Sequence, residues 1–370
     1  MSPSVAVSPA SRTGFIVTLA TLANVLVTSH TTTAPSTRPA VFLESLDGSK
    51  GFGDDLLADG STVAAFDSIC WRGRRGRPRC EAVLRVFEGP KEVFQRDAKS
   101  WSDAWALRGD MLVLRARTWN GEDPSGHLEL VVRKDGAWSD GPAVPIDDSC
   151  RGQDYHRQMA LGATVLVLEA REKLCIYERA GATWRYSVAL NTKQPRFNGL
   201  AVAGDRVVTL FDDHVEVHER TGGSSEWTRR FIVTPRLAAL SALAASSRWV
   251  VVRATLRGDD TPVLLIFDAA SGEWVDTLAS QFYDVVFASV GFAVTDTTIA
   301  TISRVDQTWH YTDGAWRPRG ALTAATDAPV TDNRRGLGVG DDVIWIGQPI
   351  YGRASHGGTI EGFQISDTAP

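Results

Sequence analysis

Nowhere in the 370 residues does a 3.6-residue apolar period run between recognisable helix caps, so the chain reads as almost free of helix. No Cys-x-x-Cys is present among the four cysteines, which argues against structural zinc and redox cycling. Gly-x-Ser-x-Gly, His-Glu-x-x-His, a Walker loop and the dinucleotide glycine motif are absent as well, removing the local signatures of common hydrolases and nucleotide enzymes. No Asp-x-[Asp/Asn]-x-[Asp/Asn]-Gly run offers the six to eight oxygens a calcium ion needs. The nearest acidic cluster, Asp54, Asp55 and Asp59, reads as solvated turn carboxylates. No cofactor is therefore expected; calcium is the one considered, and no motif supports it. A net charge of −5 excludes a global bias towards nucleic acid.

What is present is a repeat. Asp-Gly-Ala-Trp occurs at Asp135–Trp138 and again at Asp313–Trp316. Looser versions end at Trp184, Trp227 and Trp274. Upstream of these lie short polar turns between apolar runs, centred at 60, 109, 162, 204, 246, 296 and 340, an irregular period in the mid-forties. Four short strands joined by three hairpin turns fit that length, which is one propeller blade. Seven turns predict an all-β, seven-bladed β-propeller of four-stranded antiparallel blades over 51–97, 102–144, 156–190, 197–234, 239–279, 286–322 and 336–366. The last blade lacks a fourth strand and a tryptophan, whereas residues 40–46 form a strand without a blade. Pairing that strand onto blade 7 would close the ring and remove an exposed edge. The length suits one large core under a single ring.

Two segments resemble a known family. Phe52-Gly53 with Leu57–Ala64, and Gly340–Pro349 with Gly347-Gln348-Pro349 in place of Gly-Ala-Pro, are similar to the FG-GAP repeat of integrin-alpha-type propellers. The resemblance implies a seven-bladed propeller. Blades 3, 4 and 6 lack the Gly-Ala-Pro segment.

Residues 39–370 are thus expected to form a single propeller domain, after a signal peptide (1–29) and a Thr/Ser/Pro-rich linker (30–38). Arg12 followed by the apolar run Gly14–Val27 carries the secretory reading, and the run is short for a membrane span. No membrane span is expected in the mature chain, which is expected to be secreted or to sit in the cell envelope as a monomer. The cysteines fit an oxidising compartment. Cys70 and Cys80 flank one hairpin loop, and Cys150 lies in a connector ahead of Cys175, making Cys70–Cys80 and Cys150–Cys175 the natural pairs. Four packed free thiols are the alternative.

Two Arg-Gly-Asp tripeptides, at Arg108–Asp110 and Arg257–Asp259, read as turn chemistry and not as adhesion signals. His214 and His218 sit on one strand face roughly 13 Å apart and cannot share an ion. The sharper feature is the length of the loop between second and third strands, which is greatest in blades 1, 2 and 7. Blade 1 offers Trp71, Arg72, Arg74, Arg75, Arg77 and Arg79; blade 2 offers Trp119, Asn120, Glu122, Asp123 and His127; blade 7 offers Tyr351, Arg353 and His356. Guanidinium groups hold carboxylate, sulfate or phosphate in a bidentate fork, and aromatic faces suit sugars. The expected function is a non-catalytic binding module for an anionic glycan or an extracellular or cell-surface protein, with no nucleic-acid partner. The alternative is a carbohydrate-active hydrolase or lyase with paired carboxylates around the central channel.

Overall fold

A computed structural model describes residues 41–47, 56–72, 78–98, 105–115, 127–150, 158–170, 172–192, 198–220, 226–233, 238–256, 262–279, 291–301, 306–322, 337–340, 343–348 and 359–364; for 41–47, 68–72, 78–82, 98, 231–233, 238, 256, 306, 320–322, 348, 359 and 361 it describes the backbone alone. The described residues all lie within one compact unit, Thr37–Pro370.

The described residues form seven antiparallel sheets. From innermost to outermost, blade 1 is Leu56–Asp59, Thr62–Arg72, Pro78–Glu88 and Lys91–Ala98; blade 2 is Trp105–Arg108, Met111–Arg115 and His127–Lys134, with an outer strand split into Ala137–Asp140 and Val144–Pro145. Blade 3 is Met159–Leu161, Val165–Ala170, Lys173–Ala180 and Thr183–Asn191, and blade 4 is Gly199–Ala203, Arg206–Leu210, Val215–Arg220 and Trp227–Val233. Blade 5 is Ala238–Ala245, Trp249–Leu256, Pro262–Asp268 and Trp274–Ala279, and blade 6 is Phe292–Val294, Thr298–Thr301, Asp306–Thr312 and Ala315–Leu322. Blade 7 is Leu337–Val339, Val343–Gln348 and Thr359–Gln364, completed by Val41–Asp47 pairing antiparallel onto the third strand. All seven anticipated inner turns fall between first and second strands. The only helical element among the described residues is a 3-10 turn at Asp148–Cys150.

The innermost strands touch in the order 1–2–3–4–5–6–7 and back to 1, so the ring is closed. At the joint the fit is close: a Cβ on Gly340 would strike the backbone of Gly60, and one on Gly338 would strike Ala58. The two Asp-Gly repeats have a backbone reason. Asp135 (φ 52°) with Gly136 (φ 81°), and Asp313 (φ 53°) with Gly314 (φ 80°), place both central turn residues in the left-handed region that tight hairpins require.

The core is not one body. It is seven apolar seams, one between each pair of neighbouring blades. Both faces of a blade are therefore covered, and its middle strands read as unbroken apolar runs. In blade 3, Val165 and Val167 enter the seam with blade 4, while Leu166 and Leu168 enter the seam with blade 2.

Every outermost strand also carries one more residue than its partner. The register skips Val93, Ser187, Arg230, Val275, Arg319 and Leu43 in blades 1, 3, 4, 5, 6 and 7. In blade 2 the surplus is absorbed between Asp140 and Val144, where Gly141 donates its N–H to the Leu130 carbonyl. Such bulges sharpen the local twist and disturb an exposed edge.

This register sets one tryptophan of the repeat apart from the others. Trp184, Trp227 and Trp316 stand two pairs before the bulge. Trp274 stands at the bulge itself, at the position of Tyr186 and Arg229. It is accordingly 41% exposed, whereas Trp138, Trp184, Trp227 and Trp316 are buried. The cause is the turn of blade 5, where Gly272 and Glu273 bond back to Asp268 and delay the strand by two residues.

Candidate functional site

The strand directions sort the loops by side. Turns joining first to second and third to fourth strands lie at one end of the ring. Loops joining second to third strands lie at the other, with the blade connectors. That second side carries the long loops of blades 7, 1 and 2, and ring closure makes those blades consecutive.

Blade 1 departs from the sequence reading there. Trp71–Arg79 was expected to be a loop, but the ladder runs on through Cys70↔Cys80, Trp71↔Arg79 and Arg72↔Pro78. Its two middle strands have 11 residues each, against 4 to 8 for the middle strands of the other blades. Trp71 and Arg79 are direct cross-strand partners, and Arg72 lies on the opposite face of the ladder, as the two-residue period requires. Arg74, Arg75 and Arg77 lie outside the described residues, as do Trp119, Asn120, Glu122, Asp123, Tyr351, Arg353 and His356. His127 opens the third strand of blade 2, half-buried, with its backbone paired to Pro145.

The connector between blades 2 and 3 reaches the same side and is fixed covalently. Cys150 is bonded to Cys175, which closes a 25-residue separation. A loop of that size contributes about 3.5 kcal/mol in the chain-entropy model. Ser149 Oγ donates to Asp147 Oδ1 at 2.6 Å and lies 3.0 Å from the Tyr186 hydroxyl, while Lys173 Nζ donates to the Ser149 carbonyl at 3.3 Å. For the first cysteine pair, the backbone places Cys70 opposite Cys80.

The turn side is occupied by clips between blades. Asp59 of blade 1 accepts the Gly109 N–H and lies 3.4 Å from Arg108 Nη1. Asp110 lies 3.5 Å from Arg133. Arg108 and Gly109 of the first Arg-Gly-Asp are thus used in holding blades 1 and 2 together, while Asp110 pairs within blade 2; the second tripeptide lies outside the described residues. Thr164 donates to Asp205 at 2.5 Å, and Asp296 accepts from the Ser247 hydroxyl and from the Arg248 N–H at 3.0 Å. Burial alone would raise the pKa of Asp296; the bonds from Ser247, Ser246 and Arg248 outweigh it, and the carboxyl sits below its usual range.

Among the described residues of the seven innermost strands, Asp59 and Arg108 are the only ionisable side chains; the rest are apolar or small, with Ser241. No three described His, Cys, Asp or Glu side chains converge as a metal set. Between His214 and His218 stands a carboxylate that their spacing does not announce. Glu216 shares their face, with Oε1 3.5 Å from His214 Nε2 and Oε2 3.6 Å from His218 Nε2.

The architecture has counterparts among solved structures. A chain in the crystal structure of the mitotic checkpoint complex is 14% identical, with a TM-score of 0.53 over 90% of this chain and 95% of that one. Hsv2 of Kluyveromyces lactis with its complete loop 6CD is 10% identical, with a TM-score of 0.49 over 83% and 96%. The first of these likenesses shows the propeller fold. No family model and no curated protein matches the chain.

Proposed function

We propose that this propeller is a secreted, non-catalytic binding module whose working surface is the loop side of blades 7, 1 and 2. The carrying observation is the placement of the extended blade 1 hairpin. It stands between the two blades with the longest middle loops, on a ring closed at the adjoining joint. Loops on a rigid scaffold are where binding chemistry concentrates. Five arginines within Arg72–Arg79, beside Trp71, favour an anionic ligand, either an acidic glycan or an acidic protein surface. The innermost strands, apolar apart from Asp59, Arg108 and Ser241, favour binding over hydrolysis in the channel. The Cys150–Cys175 bond favours an extracellular or periplasmic setting, since disulfides persist in oxidising compartments.

The test is an array of neutral and anionic glycans, including lipopolysaccharide fragments, probed with the protein and with a variant carrying Arg→Ser at 72, 74, 75, 77 and 79. Two salt concentrations are compared. Salt-sensitive binding to anionic glycans, lost in a variant with an unchanged melting temperature, is the expected result. Binding that survives the five substitutions, or is indifferent to salt, refutes this surface as the site.

A further inference from the structure

His218 lies in the third strand of blade 4. Val215 and Val217 of that strand enter the seam with blade 5, so the alternating His214, Glu216 and His218 face blade 3. Trp227 and Arg220, on the same side, reach blade 3 directly: the indole donates to Glu178 at 3.1 Å, and Arg220 lies 3.0 Å from the same carboxylate.

His218 is 8% exposed and its Nδ1 has no hydrogen-bond partner. A neutral imidazole tolerates this, because one ring nitrogen can remain an acceptor. A protonated imidazole must donate from both. The nearby carboxylate is already engaged. Glu216 Oε1 lies 3.0 Å from Arg229 Nη1, and Oε2 lies 3.6 Å from His218 Nε2, beyond good hydrogen-bond length.

We propose that His218 makes the seam between blades 3 and 4 an acid-sensitive joint, closed at neutral pH and the first to loosen as the medium acidifies. The charged groups around it are Glu216 on its own strand, Arg229 on the outermost strand, and the Arg220–Glu178 pair across the seam. His214 and Asp213 continue the row towards the loop side, bonded to each other at 2.5 Å. Arg206 and Arg230 both pair with Glu219, which alternation places on the opposite face.

The direction of the effect is fixed. Burial holds the His218 pKa below its ordinary value, with Glu216 opposing and Arg229 reinforcing that shift. The unfolded chain therefore binds the proton more readily, and stability falls as pH drops below about 6.5. The ceiling on this contribution is about 25-fold in the folded-to-unfolded ratio between about pH 7 and about pH 5.

The test uses the full chain as wild type, His218→Phe and Glu216→Gln. Hydrogen exchange, corrected for intrinsic rates, is followed at about pH 7 and about pH 5, with thermal midpoints alongside. The expected result is acid-induced loss of protection confined first to residues 183–191 and 215–220. It should be abolished in His218→Phe and enlarged in Glu216→Gln, which lacks the anion that favours the charged ring. Should the phenylalanine variant fail to fold, His218→Gln serves as the neutral replacement. Equal acid sensitivity in the wild type and the neutral variants, or opening that begins at another seam, overturns the proposal.

Discussion

The seam between blades 1 and 2 and the seam between blades 5 and 6 each bury a tryptophan from the same slot of the outermost strand, yet they surround it differently. In the first, the Trp138 indole donates to Glu88 Oε1 at 2.9 Å, and Arg133 Nε meets the same oxygen at 2.8 Å. Nearby, Arg96 bridges Glu129 at 2.5 Å and Asp140 at 2.7 Å. In the second, Trp316 packs against Trp249 at 5.7 Å and Tyr311 at 5.4 Å, and Arg248 covers Trp249 and Tyr311 at 4.5 and 4.6 Å. Trp316 Nε1 has no hydrogen-bond partner. What repeats is the slot and its apolar area. The polar partner of the indole is optional.

If area is the common currency of the two seams, Trp138→Ala and Trp316→Ala should be equally harmful. Each is expected to cost about 3–5 kcal/mol, the range for emptying a large aromatic site. Chemical denaturation with an unchanged m-value is the measurement. A loss at Trp138 several kcal/mol beyond that at Trp316 would break the equivalence and make the ion-pair network the main support of its seam.

That slot was legible in sequence only where the turn before it is short. Asp135-Gly136 and Asp313-Gly314 place Trp138 and Trp316 two residues into the outermost strand, and the repeat shows it. The longer turn from Asp268 to Glu273 moves Trp274 by two residues, which leaves the tetrapeptide pattern recognisable while taking the side chain out of the seam. The seven inner turns were legible because Gly, Asp and Ser meet a backbone demand that recurs in every blade. The bulges were not, because Val93, Ser187, Arg230, Val275 and Arg319 have no chemistry in common; the surplus residue answers to the twist of the sheet. The paired roles of Asp59, Asp205 and Asp296 join residues some 40 to 50 positions apart, and no local pattern announces them. The arginines were visible by composition, and the backbone at Trp71, Arg72 and Arg79 emerged as strand where a loop was expected.

A smaller change separates the two seams by bond and not by area. Trp138→Phe removes an indole N–H that Glu88 accepts, whereas Trp316→Phe removes one that nothing accepts. Both lose similar volume. The excess cost at Trp138 should be about 1–2 kcal/mol, the range for a hydrogen bond to a charged group. Equal costs would mean that Arg133 alone satisfies Glu88 and that the indole bond adds nothing.

The smallest expected effect lies in the blade 5–6 seam. Asp276 accepts the Thr277 N–H at 2.7 Å and the backbone N–H of Trp316. It has no counterpart to Arg133 among these contacts, and burial, partly opposed by the two bonds, raises its pKa above the ordinary carboxyl value. A raised carboxyl pKa means that the folded state binds the proton more readily, so stability is lost as pH rises through the folded pKa. Asp276→Asn keeps an acceptor oxygen and removes the charge. At neutral pH the variant should be more stable by roughly a few tenths of a kcal/mol, because the group is only half-buried and solvent screens it. The advantage should vanish below about pH 4, where both states of the wild-type carboxyl are protonated. A variant less stable than wild type at neutral pH would show that the ionised carboxylate fastens this seam as Glu88 fastens the other, and the contrast between the two would fall.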